Sequence, residues 1–272
     1  MKIKHIMSGW FFSLILALFC MLFSFGSVYA QDKGQGKLIM SFAAGKTEAD
    51  KENAMSFKKS GLFQRLAEDL NKHFNFPSDF QIKFSSGAGP AFDPRTNAVL
   101  MSYDFINYLN EKYKATYPGT SKEEMMHFSA RVSMFLACYE LGHAFINLYN
   151  LPIAGDKNAA ADKLGTLLML EYDRYGDNIV IDSADTYEQL SKYGAEKSYK
   201  GEWDSYALSP KRFCNAICYL YAKQPKNLKE DLDNWDSKQM LAYLNKQGAY
   251  YKAAYKKQLD LWIPLLKPHL KK

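Results

Sequence analysis

"ACYELGHAFINLY", residues 137–149, is the stretch on which the reading of this chain turns. It closes a long helix that Thr120 or Ser121 can cap at the start and that runs to about Tyr149. On an α-helix, residues four apart are offset by about 40° and residues three apart by about 60°. Tyr139, Glu140 and His143 therefore crowd one side, with Gly142 leaving room for close approach and small Ala144 following.

That spacing has a chemistry. In His-Glu-x-x-His, two imidazoles grip one zinc ion while the intervening Glu faces the bound water as general base. Here Glu140 and His143 stand in register, and Tyr139 holds the first ligand position. Downstream, "GDKNAAADKLG" (155–165) opens a second helix over about 156–175, with Leu164, Leu167, Leu168 and Leu170 as its apolar side. In zinc peptidases of the gluzincin type, such a helix supplies a Glu ligand. An Asp four residues later then orients the second His by a hydrogen bond. Asp162 suits the Asp position, and Asn158 stands where the Glu belongs.

The N-terminus reads as a leader. Lys2 and Lys4 precede a nearly unbroken apolar run from Phe11 to Phe25, and "SVYA" ends in small Ala30 before polar "QDKGQGK". That is the pattern of a cleaved signal peptide, residues 1–30. The run falls short of the roughly 20 residues of a spanning helix, and Phe19 argues against a lipid anchor at Cys20. The expected destination is export, to the periplasm or beyond the cell, with no membrane contact after cleavage. What remains, 31–272, is long enough for one domain with its own core. The formal charge of +6 falls to +4 with the leader's two lysines, too little and too evenly spread for a nucleic-acid partner. Cys138, Cys214 and Cys218 remain. The last two, four apart on a helix, are poorly placed for a disulfide and read as a buried pair of thiols.

"KLIMSF" (37–42) reads as a first strand, and "FKKSGLFQRLAEDLNKHF" (57–74) as a helix with Leu62, Leu66, Leu70 and Phe74 on one stripe. "FQIKFS" (80–85) and "AVLMSY" (98–103) read as strands of a hairpin whose broad loop is the turn-rich "SGAGPAFDPRTN". Further helices are expected near 103–114, 184–195, 210–222, 237–247 and 249–266, giving an α+β, mostly helical chain. "AYYKAAYKKQ" (249–258) reads as a solvated face. His127 lies about 160° around and some 24 Å along the helix from His143, too far to join it. Cys138 lies about 140° around from His143, which excludes a nucleophile–base pair. His73 and His269 read as surface residues.

"YELGHA" (139–144), "LPIAG" (151–155) and "NAAAD" (158–162) together resemble a family of secreted bacterial putative metallopeptidases, a domain of unknown function. Its members carry a His-Glu-x-Gly-His-Ala helix, an LP-x-x-G turn and a Glu-x-x-x-Asp helix start. The likeness continues through "LNKHFNFP", "AFDPRTNAVLMSYDFI", "WDSYALSPKRFCNAICYLY" and "WIPLLKPHL", and so covers most of the chain. It implies a zincin-like fold: a small N-terminal sheet packed on a long active-site helix, plus a C-terminal helical body. It places metal ligands at Tyr139, His143 and Asn158, the base at Glu140, and Asp162 behind the ligands or as a rescue ligand. Only His143 among the three ligand positions has the expected chemistry, and Tyr206 stands where the family has His. The resemblance thus implies a pseudo-peptidase with an incomplete zinc site and no resident cofactor. It would bind a peptide or protein in a residual cleft edged by "AVLMSY". The alternative is an active peptidase that binds zinc through an unusual ligand set, with Glu140 as base.

Overall fold

Gly61 takes φ 65 in the left-handed region, closing one helix and opening the next. The stretch expected as a single helix is therefore two, α1 (Glu48–Ser60) and α2 (Leu62–His73). The computed structural model describes residues 36–183, 210–226, 228 and 238–272. Thr47 and Asp50 form a capping box at the start of α1. The predicted stripe survives in α2: Leu66 and Leu70 are buried, and Phe74, just past its end, is buried too.

β1 (Leu38–Phe42) pairs in parallel with β2 (Phe80–Ser85), the two helices forming the crossover that parallel pairing requires. β2 alternates as read, with Phe80, Ile82 and Phe84 buried. The expected hairpin is corrected. β2 pairs in parallel with β4 (Ala98–Ser102), and the turn-rich segment contains another strand, β3 (Ala91–Asp93), antiparallel to β4. The chain thus reverses twice between β2 and β4. The order is β1-β2-β4-β3, so "AVLMSY" is an interior strand and β3 is an end strand among the described residues.

Ser102 caps α3 (Tyr103–Thr116), and Ser121 with Glu124 forms the capping box of α4 (Lys122–Leu148), the long helix. Sixteen α4 residues between Phe128 and Phe145 are buried, on every side of the helix, as befits a helix at the centre of a core. Phe145 meets Phe74, Phe76 and Phe80 edge-on with centroids 5.0, 5.6 and 6.5 Å away. That cluster joins the sheet and α2 to α4.

α5 (Lys157–Tyr172) follows, then α6 (Pro210–Lys223) and α7 (Lys238–Leu266). The helix expected over 184–195 lies outside the described residues, as do the leader and Tyr206. α7 runs through Gly248, where a break was expected. A Cβ there would sit 3.2 Å from the Tyr221 ring, so the glycine serves the packing of α7 on α6 at about 1 kcal/mol of helix propensity. The C-terminal tail returns to α2, where Asn75 N–H donates to the His269 carbonyl at 2.7 Å and Lys271 N–H to the His73 carbonyl at 2.8 Å. The architecture is α+β, mostly helical, with a small mixed sheet. No helix among the described residues is long and apolar enough to cross a membrane.

Candidate functional site

Two glycines set the distance between α4 and α5. A Cβ on Gly142 would lie 2.1 Å from the Ala161 carbonyl oxygen, and one on Gly165 would lie 2.3 Å from that of Cys138. Real Cβ atoms never come so close, so only glycine permits this crossing. The room read at Gly142 is thus filled by the backbone of α5. The consequence is that Asp162, 4 % exposed, is delivered beside Tyr139, 2 % exposed.

What stands between them is Arg212, from α6. Its Nε donates to Asp162 Oδ1 at 2.6 Å, with both side chains almost fully buried. The guanidinium carbon lies 4.1 Å from the centre of the Tyr139 ring and 5.1 Å from that of Phe135. Phe213 stacks on Phe135 with centroids 4.5 Å apart, completing an aromatic wall. Charge and ring faces match here. A buried carboxylate neutralises the cation, and the electron-rich faces of two rings solvate it where water does not reach. Nearby, burial together with the Asp162 charge raises the Tyr219 phenol to about 12. Burial also holds the Cys138 thiol well above its ordinary range.

His143 packs edge-on against Tyr139, ring centroids 4.9 Å apart at 78°, and is half-buried. Glu140, 4 % exposed, faces the sheet, where its Oε2 accepts the backbone N–H of Phe92 in β3 at 2.8 Å. Asn158 lies on the first turn of α5 and is exposed. Its backbone N–H donates to the capping Asp156 side chain at 2.9 Å. The structure thus gathers Tyr139, His143, Asp162 and Arg212, turns Glu140 towards the edge strand, and leaves Asn158 at the surface.

Zinc, which the motif implies, needs about three or four nitrogen, sulfur or oxygen donors at roughly 2.0–2.3 Å. His143 supplies an imidazole. Asp162 spends an oxygen on Arg212, and Glu140 spends one on Phe92. Among the described residues no group of three or more His, Cys, Asp or Glu side chains comes together to hold an ion. Among the described residues, these side chains do not by themselves make up a zinc-binding set.

Sequence reasoning missed Arg212, 50 residues from its partner. The available signal was an arginine embedded in the apolar helical run "RFCNAICYLY". α4 is unbroken, so His127 stays far from His143. It instead lines a surface groove of about 360 Å³ with Phe57, Lys59 and Met126. His73 and His269 are half-buried rather than superficial, because aromatic neighbours cover them: His269 stacks on Tyr149 at 3.9 Å, and His73 packs on Tyr172 at 5.5 Å. Cys218 is buried, but Cys214, one turn nearer the start of α6, is exposed, so the two are not a buried pair.

Fold and site define a class of chain: an α+β protein whose long buried helix keeps the Glu-x-x-His half of a metallopeptidase motif. The family profile of DUF4344, described as a putative metallopeptidase, matches residues 42–266, and the chain belongs to that family. No curated protein and no solved structure matches it significantly.

Proposed function

We propose that this protein is an exported, non-catalytic member of its family: a zincin-like pseudo-peptidase that holds a peptide or protein segment without cutting it. The observation that carries this reading is the buried Arg212–Asp162 pair stacked on Tyr139. It gives the residues around the first ligand position a structural occupation and ties down the Asp that would orient a metal-bound His. Glu140 has one oxygen committed to a backbone partner.

Binding would use what the fold retains. β3 ends the strand order and lies beside α4, and an extended segment laid along a sheet edge is held by main-chain hydrogen bonds. Two concavities around Lys122 and Met126 lie towards the other end of α4 from His143.

The test is metal content of the mature, tag-free protein by mass spectrometry after dialysis against zinc, paired with cleavage of a peptide library. The expected result is no stoichiometric metal and no cleavage. About one zinc per chain, lost in His143→Ala, with peptide cleavage lost in Glu140→Gln, would replace this reading with that of an active peptidase. Reverting two ligand positions, Tyr139→His with Asn158→Glu, should by contrast raise zinc affinity, since the helix spacing is intact.

A further inference from the structure

α7 ends in the core at Leu266, which is fully buried, and no residue after it is buried. Lys267, Pro268, Lys271 and Lys272 are exposed, and His269 and Leu270 are half-buried. Yet these six residues lie back across the molecule. Leu270 stands opposite Phe74 as an antiparallel bridge, with a hydrogen bond on either side. Asn75 N–H donates to the His269 carbonyl at 2.7 Å, and Lys271 N–H donates to the His73 carbonyl at 2.8 Å. The Asn75 side-chain amide also donates to the Leu270 carbonyl at 3.1 Å, and Lys271 Nζ donates to the Asn71 carbonyl. The His269 ring stacks on Tyr149, whose hydroxyl donates to the Asn75 carbonyl at 3.1 Å. One short segment thus ties the turn after α2 to the end of α4.

What holds this segment differs in kind from what holds the core. Buried apolar surface fixes α7 as far as Leu266. Past it come hydrogen bonds and a ring stack, and each hydrogen bond gains little net, because water replaces the lost partner. Regions with few buried apolar contacts open at lower free energy than the core. The segment is also stiff. Lys267–His269 form a 3-10 turn, closed by Leu270 N–H on the Lys267 carbonyl at 3.3 Å, and Pro268 fixes one of its dihedrals. A stiff segment this short leaves its partners together and not residue by residue.

We propose that residues 267–272 are a strap that opens as one unit about Leu266 while the body of the fold stays closed. Opening lifts His269 from the ring of Tyr149 at the end of α4 and frees the Asn75 N–H and the His73 carbonyl in the turn after α2. The strap is independent of whether the protein binds metal or peptide.

The experiment is amide hydrogen exchange on the full chain, read by NMR in the native protein and in His269→Ala. Asn75 and Lys271 report the strap from its two sides, and Ile82 and Val99 report the sheet interior. After division by the intrinsic rates, Asn75 and Lys271 should share one opening equilibrium to within about fivefold, at least about tenfold above that of Ile82 and Val99. Loss of the ring stack in His269→Ala should raise both by roughly 3- to 10-fold and leave Ile82 and Val99 unchanged. Lys271 opening more than about fivefold ahead of Asn75 is fraying from the chain end and overturns the strap. Asn75 opening within about tenfold of Ile82 also overturns it, because the segment then parts only with the whole fold. A rise in His269→Ala at Lys271 alone, or at neither amide, overturns the opening as one unit.

Discussion

Replacing Arg212 with Met probes the centre of the site directly. Asp162 and Arg212 are 4 % and 2 % exposed, and the bond between them is 2.6 Å. Removing one partner of such a pair leaves a charge stranded in the core, at a cost of about 3–5 kcal/mol. Methionine recovers part of the packing against Tyr139 and Phe135 but none of the charge, so the loss should stay near that range. For a domain of this size each kcal/mol lowers Tm by about 2–4 °C, so Arg212→Met should melt roughly 6–20 °C below native. Arg212→Lys should fall between them, because an ammonium keeps the charge but loses the planar fork that both stacks on the rings and donates to Asp162. The double variant Arg212→Met/Asp162→Leu is the decisive arm. It removes both charges, so most of the lost stability should return. Urea unfolding of native protein, Arg212→Met, Asp162→Leu and the double variant, followed by tryptophan fluorescence, gives the four free energies of the cycle. An Arg212→Met cost below about 1 kcal/mol would refute the buried pair as the organiser of this site, as would a double variant no better than the single.

Gly165→Ala should destabilise by at least about 2–3 kcal/mol in the same assay, since its Cβ would lie 2.3 Å from the Cys138 carbonyl oxygen and α5 would have to move away. Asp50 carries a pH signature. Burial works to raise its pKa, but hydrogen bonds from Ser86, Asn107, Thr47 and the Lys46 N–H outweigh it and hold it near 2 against an ordinary 3.8. Its stabilising contribution is therefore complete above the unfolded value and is lost as pH falls from about 4 towards 2. Asp50→Asn should flatten the stability profile across that window, measured by urea midpoints at several pH values. A thiol reagent should modify Cys214 in the native protein while sparing Cys138 and Cys218, the latter pushed up to about 12 by burial, until the chain is unfolded. Rapid native labelling at Cys138, identified by peptide mass, would contradict the packing around Arg212.

The parts legible from the sequence are those whose causes are local. α4 was readable to within a residue or two at each end, because a capping box sits at Ser121 and Glu124 and the apolar run ends at Tyr149. The grouping of Tyr139, Glu140 and His143 followed from helix geometry alone, and β1, β2 and β4 followed from short apolar or alternating runs. The split at Gly61 was within reach, since a left-handed glycine is a common helix end, yet the apolar stripe on either side concealed it. β3 was hidden for a similar reason. Three residues between turn-forming prolines and glycines carry too little pattern to announce a strand, and only pairing with β4 makes them one.

By itself, then, the sequence determined the long helix and which residues share its faces. The tertiary structure alone decided what those residues do. It brought Arg212 onto Asp162 and Tyr139 and turned Glu140 to Phe92, across separations of 50 and 48 residues for the two hydrogen bonds. The physical reason is that periodicity and caps say which side of a helix is buried but not what it is buried against. The partner is chosen by the close packing of the whole core, here by two glycines that let α5 approach α4 until the carboxylate, the guanidinium and the ring had no other place to go.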